Sequence, residues 1–69
     1  MNRNILNALI GRRVFMILKS NHHYTGTILA VENNFIQFVD KRDEMVILDV
    51  DQIKVLKESK DFEEAKKNV

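Results

Sequence analysis

The chain has 69 residues, no cysteine, 45% apolar and 30% charged side chains, and eleven basic against ten acidic residues for a formal net charge of +1. That length is one domain near the lower limit of independent folding, where only about 60% of the unfolded surface can be buried, and the composition is globular rather than disordered. A disulfide framework and a thiolate zinc site are excluded, which leaves oligomerisation as the common source of added stability, and the near-zero charge supplies no global field for nucleic acid or an acidic membrane.

The first eleven residues are too short and too polar a stretch for a signal peptide, and apolar runs of about five residues cannot span a bilayer. A soluble cytoplasmic protein is expected. Asn4 is placed to cap a short helix through Ile10, with Ile5, Leu6, Leu9 and Ile10 on one face and Gly11 as its C-terminal stop. Residues 14–18 are apolar at every position, so both faces of a strand there must be covered. Val14, Met16 and Leu18 are assigned to the interior, while Phe15 and Ile17 need either the N-terminal helix or another subunit.

A polar turn over residues 20–23 leads to a second strand, residues 24–32, with Gly26 inside it rather than at either turn. A glycine there weakens the ladder unless a bulge, a bend or the close approach of another backbone requires it. Asn33-Asn34 signals a tight turn, because asparagine tolerates positive φ and bonds its own backbone. A third strand follows over residues 35–39, then a charged turn, Asp40-Lys41-Arg42-Asp43-Glu44, whose mixed signs read as solvation. Residues 45–48 form a fourth strand, residues 49–52 a brief connector, and residues 53–56 a fifth strand with Lys54 outward. Five short strands with such short connectors suggest a small barrel. Residues 58–69 are a charged tail with the makings of a short helix, since Asp61 and Glu64 imitate a capping box and Glu63 with Lys67 makes an i, i+4 pair.

The order of these pieces carries a resemblance. A short helix, then Val14-x-Met16-x-Leu18, Tyr24-Thr25-Gly26-Thr27-Ile28, Glu32-x-x-Phe35 and a closing hairpin over residues 45–56 resembles the Sm-like family of Sm, LSm and archaeal Sm-like proteins and bacterial Hfq. The chain looks like a divergent prokaryotic-type member, matching from about Ile5 to Leu56. The Tyr24 to Ile28 segment is similar to the family's first motif, in which the glycine permits a strong bend, and Leu6-Asn7-Ala8-Leu9 with Arg13-Val14 is similar to the helix-to-strand segment of Hfq. The resemblance implies a mainly β fold over residues 1–57: a short N-terminal helix followed by a strongly bent five-stranded antiparallel Sm-like (SH3-like) barrel. It also implies a homo-oligomeric ring, hexamer or heptamer, in which the fourth strand of one subunit pairs with the fifth of the next. The chain's own residues support this independently: Met45, Val46, Ile47 and Leu48 are apolar on both faces, while Val55 and Leu56 end a strand that would otherwise be an exposed edge. A monomeric barrel covered by its own tail is the alternative.

For function, the resemblance implies single-stranded RNA binding. The family's pocket would fall on Glu32, Phe35 and Ile36 and on the connector Asp49-Val50-Asp51-Gln52. Phe35 suits base stacking, worth about 1 to 3 kcal/mol per base. Ile36 has no hydrogen-bonding group, so base selection passes to Asn33 or Asn34, whose other role is the turn itself. Asp49 and Asp51 stand where the family has a cation and would oppose phosphate, although Gln52 retains a base-bonding amide. Arg12, Arg13, Lys41 and Arg42 are the candidates for phosphate contact, against the plain reading of solvated charges. His22-His23 does not form a metal site, since neighbours on an extended segment point to opposite sides. No nucleophile-base-acid pattern or phosphate-binding glycine loop stands out, so no enzymatic activity, metal or cofactor is expected. Two further possibilities remain: a ring that is a scaffold for protein partners, its RNA pocket lost, and a monomeric SH3-like binding module.

Overall fold

The computed structural model describes residues 3–59, and the expected helix of the tail lies outside the described residues. A short helix, α1 (Arg3–Ala8), precedes five strands: β1 (Arg13–Leu18), β2 (His23–Glu32), β3 (Phe35–Asp40), β4 (Met45–Asp49) and β5 (Ile53–Glu58). All the pairings are antiparallel, in one sheet of order β4-β3-β2-β1-β5. The sheet is not closed; β4 and β5 are its two edges.

Period-two alternation decides which side is the core. Val14, Met16 and Leu18 of β1 are buried, as are Ile28 of β2, and Ile36 and Phe38 of β3, with Leu6 of α1, Val50 and Ile53 completing the cluster. The long strand β2 joins the two halves of the sheet: its residues 23–27 pair with β1, and its residues 26–32 pair with β3. The register shifts between Ile28 and Ala30, leaving Leu29 out of the β2–β3 pairing at a bulge. Each of the three hairpin turns holds one residue in the left-handed region, Asn21 at φ 72°, Asn33 at φ 50° and Asp43 at φ 69°, which are the residue types that tolerate it.

Gly26 is not at the bulge. A Cβ on it would overlap the Val39 carbonyl oxygen and stand 2.7 Å from Phe38 Cε2 and 2.8 Å from Asp40 Cα. Close approach of β3 is therefore what requires glycine. Gly11 has the opposite basis: it sits at φ +85° with open space where a Cβ would be.

Two expectations need correction. The helix ends at Ala8, and Asn4 lies inside it; Leu9 and Ile10 follow in tight turns bonded three residues back, and Ile10 then bridges to Ile28. The single apolar face drawn for a continuous helix does not persist: Leu6 is buried, whereas Ile5 and Ile10 are 55% and 42% exposed. Phe15 is half-buried on the outer side of β1. The His23 ring meets it edge-on at 5.7 Å and Lys57 Nζ lies 5.6 Å from its centroid, so β2 and β5 supply its cover. Finally, β5 runs through Glu58, which pairs with Val14, two residues beyond the expected end of that strand at Leu56.

Candidate functional site

The β2–β3 turn and the 3-10 turn Val50–Gln52 lie side by side. Glu32 pairs with Phe35 across the turn, and Phe35 pairs with Asp49 on β4. Val50 N donates to the Asn34 carbonyl at 2.8 Å, joining the two loops through their backbones. Asp49 caps the 3-10 turn by accepting from Asp51 N at 2.8 Å.

These loops orient the Asn34 side chain. Its Nδ2 donates to Asp49 Oδ1 at 2.7 Å and to Asp51 Oδ2 at 3.1 Å. An amide nitrogen has two hydrogens, so both donors are engaged and the Oδ1 acceptor is what Asn34 can still offer a ligand. Asn33 supplies the turn's positive φ. Phe35 is 50% exposed at the edge of this cluster, so its ring is accessible for stacking. Gln52 closes the 3-10 turn and is exposed, with its carbonyl accepting from Lys19 N at 2.7 Å. Glu32, Asp49 and Asp51 give this end of the molecule an acidic character.

The basic candidates are elsewhere. Arg12 Nη1 is ion-paired with Glu58 Oε2 at 2.8 Å, linking the approach to β1 with the end of β5. Arg13 pairs with Thr27 on β2 and accepts at its carbonyl from Ser59 N. Lys41 and Arg42 lie in the β3–β4 turn, both exposed. Because Phe35 starts β3 and Lys41 follows its end, a strand rise of about 3.3 Å per residue puts some 20 Å between them. The structure thus brings Asn34, Phe35, Asp49 and Asp51 together, with Glu32, Asn33 and Gln52 in the flanking turns. It keeps Arg12 and Arg13, and separately Lys41 and Arg42, apart from that group.

Sequence reading missed the amide clasp of Asn34. Asp49-x-Asp51 ahead of a short connector was a readable sign of an aspartate-capped turn; its bond to a residue fifteen positions away was not. Among the described residues no group of three or more His, Cys, Asp or Glu is placed to hold a metal ion, and no helix is long and apolar enough to cross a membrane. Compared with models of known protein families the chain matches none, and no curated protein is significantly similar to it.

Proposed function

We propose that the chain is a non-catalytic, Sm-like RNA-binding protein that assembles through its sheet edges into a homo-oligomeric ring and binds single-stranded RNA. The observation that carries this reading is the open sheet with β4 and β5 at opposite edges, together with the apolar side chains those strands leave outside: Met45 and Ile47 on β4 are 56% and 61% exposed, and Val55 on β5 is 40% exposed. An unpaired strand bearing exposed apolar residues is a template for pairing, and edges at opposite ends allow a head-to-tail contact that closes into a ring. Phe35 is the stacking group, Asn33, Asn34, Glu32 and Gln52 flank it, and Arg12, Arg13, Lys41 and Arg42 meet phosphates around the ring.

A second reading has its own support. With both Asn34 amide hydrogens on Asp49 and Asp51, the pocket is acidic and reads a base only through an acceptor. That favours a ring whose partners are proteins. Native mass spectrometry before and after nuclease treatment decides between them. A hexamer or heptamer that carries nuclease-sensitive RNA supports the first reading, and an RNA-free ring that retains no oligonucleotide at low salt supports the second. A native mass of one chain removes both in favour of a monomeric SH3-like module.

A further inference from the structure

Two hairpin turns meet at the end of the sheet away from Asn34. Lys41 N donates to the Thr25 carbonyl at 3.1 Å, which ties the β3–β4 turn to β2 just after the β1–β2 turn. Between the turns lies a cavity of about 360 Å³, lined by His22, His23, Tyr24, Thr25, Lys41 and Arg42, with the carboxylates of Asp40 and Glu44 also on its wall. That volume falls at the small end of ligand sites, about 300–1,000 Å³.

The lining carries two cations, Lys41 and Arg42, and two carboxylates, Asp40 and Glu44, of which one is committed to the turn. Asp40 Oδ1 accepts from Arg42 N at 2.8 Å and from Glu44 N at 3.0 Å, so this carboxylate holds the turn together. Among the described residues neither Lys41 nor Arg42 has an ion-pair partner; the ion pair there is Arg12 with Glu58. The His22 ring is pinned at Nδ1, 2.8 Å from Ser20 Oγ, which leaves Nε2 for a ligand. Tyr24 is fixed by edge-on packing against Phe38 at 5.6 Å. Lys41 and Arg42 from the β3–β4 turn thus line one cavity with His22 from the β1–β2 turn.

We propose that this cavity binds a phosphate monoester. A planar carboxylate would use two oxygens on a flat set of donors, whereas a tetrahedral dianion presents several acceptors in three dimensions, matching donors that come from different turns. The volume exceeds a bare phosphate and leaves room for an attached sugar. Free phosphate, a nucleotide and the phosphorylated end of an RNA share this chemistry. The site shares Lys41 and Arg42 with the phosphate contacts of the RNA reading but not Phe35 or Asn34, which lie at the other end of β3.

Isothermal titration of the full chain with inorganic phosphate, adenosine monophosphate and adenosine tests it. Phosphate and the monophosphate bind and adenosine does not. Replacing both cations, Lys41→Ala with Arg42→Ala, weakens monophosphate binding about tenfold or more, and Glu44→Gln strengthens it about threefold by removing a like charge. All three are exposed turn positions, so the fold is retained. Equal binding of adenosine and its monophosphate, or affinity indifferent to loss of both cations, overturns the proposal. An RNA hexanucleotide with and without a terminal phosphate separates the sources: tighter binding of the phosphorylated form identifies an RNA end, and equal binding alongside a tight monophosphate identifies a free nucleotide. Phe35→Ala leaves the mononucleotide titration unchanged, which separates this cavity from base stacking at Phe35.

Discussion

Gly26 shows how one missing carbon carries a fold. A methyl group there has nowhere to go, because two of the three nearest atoms belong to the β3 backbone, and backbone cannot swing aside as a flexible side chain does. Gly26→Ala is expected to lower stability by roughly 3 kcal/mol, read as a reduced urea midpoint; an unchanged midpoint would sink the close-approach account. Phe35 differs in being dispensable for folding. Half exposed at the start of β3, its change to alanine should leave the melting curve nearly intact while weakening single-stranded RNA binding by about 1 to 3 kcal/mol. RNA retention equal to that of the unchanged chain would remove Phe35 from the site. Arg12 is bound to Glu58 at the surface, with 59% of its side chain exposed, and solvent-screened pairs of this kind contribute under about 1 kcal/mol.

At the scale of elements, the alternation of buried and outward positions is strict in β1 and holds through Val39 in β3, whereas β4 has no buried residue. Its outward residues Met45 and Ile47 face a partner or water. A lysine at Ile47 therefore offers a clean separation of folding from assembly. Ile47→Lys should change stability by no more than about 0.5 kcal/mol and reduce the native mass to that of one chain, measured by sedimentation. Assembly that survives the substitution would place the contact on another surface. The three turns behave differently from the strands, since their left-handed asparagines and aspartate could be foreseen from residue type alone.

Over the whole molecule, a net charge of +1 conceals a division. Glu32, Asp49 and Asp51 surround the Asn34 clasp, and Lys41 and Arg42 stand some six residues of strand away. RNA that reaches phosphate contacts at the basic turn should show affinity that falls with salt, each phosphate contact adding about −0.7 to the log–log slope for a single strand. Arg42→Ala should make the slope shallower by about that amount per subunit engaged. A slope indifferent to Arg42 would confine binding to other surfaces.

Local patterning determined most of the fold. The apolar run at residues 14–18, the alternation around Ile28, Ile36 and Phe38, and the turn residues at Asn33 and in the Asp40–Glu44 segment were enough to place five strands within two residues of their observed ends, because each signal lies within one strand or one turn. The extent of the helix was less legible, since its last apolar residues leave it to contact β2. Tertiary structure alone decided why Gly26 is glycine, what covers Phe15, and where the Asn34 amide points, for the partners lie 8 to 42 residues away along the chain. It also decided that the basic turn meets the histidines at a cavity rather than solvating alone. Strand periodicity is a property of neighbours in sequence; a site is made by residues that only the fold brings together.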